Sequence, residues 1–336
     1  MIRLTLEEAT NLAIARLVRA DVPLEQAQIA APLYLEGELV GRASHGLRHL
    51  QNNLFQWELG RTRRTPLTIL NETAASALVD GGYQHAYYVN YVAMQKVIEK
   101  AQASGIGMVA ARKGGGSGLV GYYTRQIAEA NLIGIAMHTA PATVVPCGGK
   151  RAMLGTNPIS IAVPRRNAPP VVVDIATSAG TFNQIMLARL TGEPLPEGMA
   201  LDTSGQPTTD ANAALDENGR GRILPLAGHK GFGLAFAIEI LAAAGAGSML
   251  GFQNGNVHHP DYFSSLFMAY RPDLFVSRAE FDEKVEKLIA DTKAVERVPG
   301  VAEIRLPGEE SHRRRATALA RGYIEIEEAT YKMLNS

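Results

Sequence analysis

Between residues 5 and 40 the apolar side chains return every three or four positions, a spacing that predicts two helices parted by "RADVPLEQ". Thr5 stands three residues before Glu8, the pattern of a capping box, and Pro23 suits the first position of the second helix. That helix, "PLEQAQIAAPLYLEGELV", runs into "GRASHGLRHL" at 41–50. There a serine, two histidines and an arginine crowd one spot. A helix stop at Gly41 with polar groups facing water explains the stretch; so does an active-site corner.

Further along, "HAYYVNYVAMQKVIEKAQAS" (85–104) has helical spacing and ends at Gly105, and "GYYTRQIAEAN" (121–131) is also helical. "IGMVAAR" and the near-continuous apolar run "LIGIAMHT" predict buried strands. "PISIAVPR" and "PVVVDIAT", joined by "RRNAPP", predict neighbouring strands, with antiparallel pairing the natural option for so short a link. Residues 191–222 are rich in Gly, Pro, Asp and Asn without a long apolar run, and are expected to travel over the surface. "GHKGFGLAFAIEILAAAGAG" (228–247) is a glycine-rich loop opening an apolar helix. Near the end, "RAEFDEKVEKLIADTKA" and "ESHRRRATALARG" are amphipathic helices flanking "VAEIRLPGEE". No internal repeat or low-complexity tail is present.

A chain of 336 residues suggests two domains, and 46% hydrophobic with 20% charged residues is ordinary globular composition. Lys and Arg total 33, as do Asp and Glu, so nothing marks a nucleic-acid or anionic-membrane partner. A charged substrate would have to be caught by a local cluster. The single cysteine, Cys147, excludes an internal disulfide and fits a reducing compartment. "GLAFAIEILAAAGAG" is broken by Glu239 and too short to span a bilayer. A cytoplasmic protein is expected.

The chemistry-bearing patterns divide sharply. Gly105 to Ala110 match G-x-G-x-x-A, but they follow a helix and open a strand, the reverse of a dinucleotide fingerprint. "KGGGSG" (113–118) fits an anion-binding nest or a plain turn equally well, and is no Walker loop because Lys113 precedes the glycines. "GHKG" is better placed, since backbone amides at a helix start beside Lys230 favour an anion. His45 and His49 are the one i, i+4 histidine pair, no cysteine pair or H-E-x-x-H accompanies them, and His258 and His259 are adjacent in a polar loop. No metal site is expected.

Taken in order, "SHG" (44–46), "GYY" (121–123), "GGKRAMLGTNPISIAVPR" (148–165), "VVDIATS" (172–178), "GEPLPEGMALDTSGQPTTD" (192–210), "GHKGFGLA" (228–235) and "PGVAEIRLPGE" (299–309) carry a resemblance over nearly the whole chain. The chain resembles the type 2 malate/L-lactate dehydrogenase family of NAD(P)-dependent oxidoreductases, which includes ureidoglycolate, 2,3-diketogulonate and sulfolactate dehydrogenases and reductases of cyclic imino acids. The resemblance implies a mixed α/β fold whose nicotinamide-binding domain is not a Rossmann domain and has a mostly antiparallel sheet. A mainly helical domain would be built from both chain ends, residues 1–120 with 310–336, and the cofactor domain from 121–309. It implies a homodimer with the site near the subunit contact.

Within that family His45 would be the proton donor and acceptor, and histidine's ordinary pKa of about 6.5 suits the task. Ser44, Arg48, His49 and Thr156 would contact a small carboxylate substrate. His138, Asp174, Ile175, Ala176, Thr177, Ser178, His229, Lys230, Pro307, Gly308 and Glu309 would contact the cofactor. Two positions depart from the family pattern. Gly116 stands where a second histidine is usual, and His49 stands where many members have arginine, with Arg48 one place earlier. Both changes bear on the substrate. "AGTFNQI" (179–185) has no basic residue to meet a 2′-phosphate, so the expectation leans to NAD over NADP, with Arg165 and Arg166 the residues that could reverse it. The reaction expected is hydride transfer to or from a 2-oxo/2-hydroxy acid or cyclic 2-imino acid. The alternative, raised by the glycine-rich stretch, is a relative that binds cofactor or ligand without ordinary turnover.

Overall fold

The computed structural model describes residues 1–253 and 259–336, so His258 lies outside the described residues. In chain order the elements are β1 (Ile2–Thr5), α1 (Leu6–Arg19), α2 (Leu24–Leu39), α3 (Leu50–Leu59), β2 (Thr68–Leu70), β3 (Ser76–Asp80), α4 (Ala86–Ser104), β4 (Ile106–Arg112), α5 (Val120–Glu129), β5 (Ile133–His138), β6 (Ile159–Val163) and β7 (Val171–Ile175). They continue with α6 (Phe182–Thr191), β8 (Ala200–Leu201), β9 (Pro207–Thr208), α7 (His229–Ile238), β10 (Ser264–Tyr270), α8 (Arg278–Ala294), α9 (Glu309–Arg321), β11 (Tyr323–Ile326) and α10 (Glu328–Asn335). The capping box forms as the sequence predicts: Thr5 Oγ1 accepts from the Glu8 amide at 3.1 Å, and Glu8 takes the Thr5 amide at 2.7 Å. Gly105 ends α4 in the left-handed region at φ 84°, where a side chain would be strained.

The central sheet has the order β2-β3-β4-β10-β5-β6-β7 and is antiparallel except for β3 beside β4. The fold is the mixed α/β, mostly antiparallel arrangement expected. Strands from both sides of residue 120 share this sheet, so the expected division into two domains does not divide it. No element is assigned to 264–270 from pattern alone, yet β10 occupies the middle of the sheet between β4 and β5. Its seven residues, "SSLFMAY", show neither strict alternation nor flanking turn signals on both sides, so only its partners reveal it.

Register sorts side chains by face. Ala77, Val109, Phe267, Ala136, Ser160 and Asp174 form one row across the sheet, and all but Asp174 are buried beneath α4 and α5 in the main core. The opposite row, Met108, Met268, Ile135, Ile161 and Val173, is covered only in part by the end of α7. Met108, Ile161 and Ile175 remain exposed there.

Residues 191–222 correct an expectation. They are not a surface excursion, because Leu195, Met199, Ala200, Ala211, Ala214 and Leu215 are buried with Val144, Ile185 and Ile223 in a second core. Their apolar residues stand singly among turn formers, without a period that would announce burial.

Candidate active site

Residues 41–50 form neither a continuing helix nor a loose stop. Two 3-10 turns, Ala43–His45 and Leu47–His49, lead into α3. The corner is pressed onto α2: a Cβ at Gly37 would strike the Gly46 backbone, and one at Gly46 would strike the Glu38 carboxylate. Glu38 takes the Leu47 amide at 2.9 Å, and burial raises its pKa to about 7. This clamp leaves Ser44 and His45 facing outward. Ser44 Oγ lies 3.0 Å from His45 Nδ1, which leaves Nε2 as the ring nitrogen open to a ligand.

They face a cleft of about 860 Å³, within the range of sites that hold small molecules and cofactors. Its far wall is β7, the edge strand, met by the Pro307–Gly308 turn through a 3.3 Å bond from Val172 N to Pro307 O. Glycines permit both close approaches. A Cβ at Gly308 would lie 2.9 Å from Val172 O, and one at Gly121 would lie 2.8 Å from Asp174 Oδ2. Asp174 ends the core-facing row, so its carboxylate points under the start of α5 and takes the Gly121 amide at 3.0 Å. Crowding by surrounding protein still pushes Asp174 above its ordinary pKa, against the pull of that amide and of Arg42. His45 is lowered from its ordinary value, first by burial of the ring's inner face and then by the Arg42 charge.

Of the residues expected from sequence, Ser44, His45, Thr156, Asp174, Ile175, Ala176, Pro307 and Gly308 line this one cleft, drawn from four distant segments. The others stand outside its lining. Arg48 is exposed beyond it. His49 lies inside, its ring stacked 5.7 Å from His45, and burial brings its pKa down to about 3. His138 is buried at the end of β5: its Nε2 accepts the Ser117 amide at 3.2 Å, so Nδ1 carries the proton toward Ser265 Oγ at 2.8 Å. Through Ser117 it is tied to the end of the glycine stretch 113–118.

Thr177 and Ser178 are buried behind the wall; the Thr177 hydroxyl donates to Thr156 O and Asn157 O, both at 3.1 Å. His229 and Lys230 are exposed in the first turn of α7. The start of α7 packs backbone to backbone on Thr177, because a Cβ at Gly231 would lie 2.5 Å from Thr177 O. Glu309 pairs with the Leu306 amide at 2.9 Å and with Lys293. Gly116 is buried, with Asn53 Oδ1 3.9 Å from where its Cβ would be.

Several cleft residues escape the sequence reading. Glu36 of α2, 4% exposed, holds Arg125 of α5 at 3.2 Å and Arg315 of α9 at 3.0 Å. His312 lines the cleft too, its Nε2 2.8 Å from Pro170 O. An acid inside the apolar run "LYLEGELV" was the available signal for Glu36. Nothing local marks its partners, which lie far along the chain. Among the described residues no cluster of His, Cys, Asp and Glu could hold a metal ion, and no helix is long and apolar enough to cross a membrane.

Comparison with known proteins follows the same lines. The chain is 36% identical over 307 residues to the L-sulfolactate dehydrogenase of Methanocaldococcus jannaschii, covering 90% of this chain and 87% of that protein. The solved sulfolactate dehydrogenase from that organism matches with a TM-score of 0.86 at 33% identity, over 99% of this chain and 95% of that one. The delta1-piperideine-2-carboxylate reductase from Pseudomonas syringae matches with a TM-score of 0.88 at 28% identity, over 99% of both chains. Matched by the family model over residues 4–335, the chain belongs to the malate/L-lactate dehydrogenase family of NAD(P)-dependent oxidoreductases.

Proposed function

We propose that the protein moves a hydride reversibly between nicotinamide and carbon 2 of a small 2-oxo/2-hydroxy acid or cyclic 2-imino acid. His45 exchanges the proton with the substrate oxygen or nitrogen. The observation that carries this reading is the single cleft that joins the Ser44–His45 corner to β7 and the Pro307–Gly308 turn. The residues present fit a nicotinamide cofactor: glycine cradles at Gly121 and Gly308 let backbone approach closely, and Val172, Val173 and Ile175 offer an apolar wall. Asp174, Ile175, Ala176, Pro307 and Gly308 would hold the cofactor. When bound, the cofactor supplies or takes up the hydride.

The remaining chemistry falls to the chain. Ser44 fixes the imidazole through Nδ1, so that Nε2 meets the substrate heteroatom. Lowered from its ordinary pKa, His45 is neutral in the free protein at neutral pH and ready to take the proton of a hydroxy acid. In the reducing direction it must first gain a proton. Thr156 and Ser44 offer hydroxyls that can orient the substrate. No feature of the cleft favours a relative without turnover, since the hydroxyl–imidazole pair faces it intact.

NAD is the proposed cofactor. Thr181 and Gln184 bring the uncharged "AGTFNQI" stretch to the cleft, while Arg165 is committed to Glu286 through two bonds of 2.8 and 2.7 Å. A homodimer in the cytoplasm completes the proposal; the exposed apolar residues Met108, Ile161 and Ile175 on the open face of the sheet support the dimer. Residues 1–120 with 310–336, and 121–309, remain the proposed functional units. The test is absorbance at the reduced-nicotinamide band with 2-oxo acids, cyclic imino acids and 2-hydroxy acids. Turnover of at least one of them is expected, more efficient with NADH than NADPH. No turnover on the whole panel would sink the reading, and a large preference for NADPH would sink the choice of cofactor.

A further inference from the structure

Three guanidinium groups line the cleft, those of Arg42, Arg125 and Arg315. Two are already spent on protein carboxylates: Arg125 binds Glu36 and Glu129, and Arg315 binds Glu36. Arg42 differs. Among the described residues it has no carboxylate within ion-pair distance and no side-chain hydrogen bond, and its side chain is exposed at the cleft. Its backbone is nevertheless fixed on both sides. The Arg42 amide donates to Gly37 O at 2.7 Å, and its carbonyl accepts from the His45 amide at 2.8 Å. One 3-10 turn therefore holds a cation, a hydroxyl and an imidazole in sequence along the cleft rim.

The other basic side chains near the corner do not line the cleft. Arg48 lies outside its lining, and His49 is half-buried with its ring stacked on His45 and Nδ1 unpartnered among the described residues. An anionic substrate needs a cation, the cleft's other two guanidinium groups are held by protein carboxylates, and a guanidinium binds a carboxylate through paired, charge-assisted bonds.

We propose that Arg42 anchors the carboxylate of the substrate, and that its position on the His45 turn couples arrival of that carboxylate to proton uptake by His45. This rests on the function proposed above and names the group that selects its substrates. In the cleft the Arg42 charge opposes a proton on His45. A carboxylate seated on Arg42 cancels that field and adds its own attraction for imidazolium, so the 2-oxo acid brings the proton its reduction consumes. Other charged and titratable groups around the ring are His49 beneath it, Asp174 across the cleft, His312 on α9, and Glu36 with its two arginines. Glu38 of α2 is turned to the Leu47 amide. Of these charges, that of Arg42 is the one that acts on His45 by repulsion.

The test uses the full chain loaded with NADH, and oxalate as a small dicarboxylate probe, titrated calorimetrically in buffers of different ionisation enthalpy. Wild-type protein should bind oxalate with net proton uptake near neutral pH. Arg42→Ala should weaken binding by roughly 10- to 10²-fold, the worth of hydrogen bonds to a charged group, and abolish the uptake. Arg42→Lys should keep part of both. In turnover, Arg42→Ala should raise KM for the reduced acid while KM for NADH stays put, and the preference for an acid over its uncharged amide should collapse. Because Arg42 is exposed, the variant should unfold at the wild-type midpoint.

Unchanged oxalate affinity in folded Arg42→Ala overturns the proposal. So does a loss confined to NADH binding, which would make Arg42 a cofactor contact, or the same loss in Arg48→Ala with none in Arg42→Ala. If no acid is reduced while oxalate binding still depends on Arg42, the anchor stands and the hydride-transfer reading fails.

Discussion

His45 and His138 both stand beside serines, but one faces the cleft and the other is sealed inside the sheet. At the rim, Ser44 holds one nitrogen of His45 and the second is left for chemistry. Inside, both nitrogens of His138 are taken by protein, and burial lowers its pKa to about 3. His49 and His85 share that interior fate, also brought down to about 3 by burial. The residue type supplies the capacity for proton exchange, and access to the cleft decides which copy can use it. A histidine that keeps its proton chemistry must be desolvated enough to be tuned and open enough to be reached.

The strongest way to break this comparison is at the rim. His45→Ala should lower turnover roughly 10²- to 10⁴-fold, the usual worth of a positioned acid or base. Affinity for NADH should hardly change, as measured by fluorescence titration. Loss of cofactor binding in place of turnover would move His45 out of the proton step.

A smaller effect is expected one layer down. His49→Ala removes a half-buried ring stacked on His45 and should cost about 1–3 kcal/mol of stability by the packing it loses. Turnover should fall about tenfold at most, because the proton step stays on His45. Denaturant unfolding beside steady-state kinetics separates the two. Should His49→Ala abolish turnover while His45→Ala keeps most of it, the roles are reversed.

The gentlest test uses pH alone. His49, His85 and His138 are held neutral when folded, with pKa values of about 3, whereas in the unfolded chain they titrate near 6.5. Between those values the unfolded chain holds more protons, so these groups make stability fall as pH drops from about 6.5 toward 3. Above 6.5 both states are neutral at these sites and no slope arises from them. The unfolding midpoint followed from pH 7 to pH 4.5 should show this decline. Glu38, raised to about 7 when folded, gains stability over the same window and offsets part of this decline. A flat profile would mean that the interior histidines contribute no more than Glu38 offsets.

Much of this was legible in the chain. Thr5 with Glu8, the Gly105 stop and the paired strands β6 and β7 are local patterns, and each formed where its pattern lay. The crowding at 41–50 was equally visible, and so was the departure at His49. What stayed hidden depends on partners remote in sequence. The central place of β10 is set by β4 and β5 on either side, and the burial of 191–222 by the neighbours in its core. Glu36 is understood only with Arg125 and Arg315 beside it.

By itself, then, the sequence determined which segments fold into helices and strands and which residue types could exchange a proton, because spacing and capping act within a few residues. Only the tertiary structure decided which histidines face the cleft, which arginine there has no ion pair among the described residues, and which glycine lets two backbones touch. Those outcomes follow from desolvation and Coulomb interaction, which act through space between groups that the chain order keeps apart.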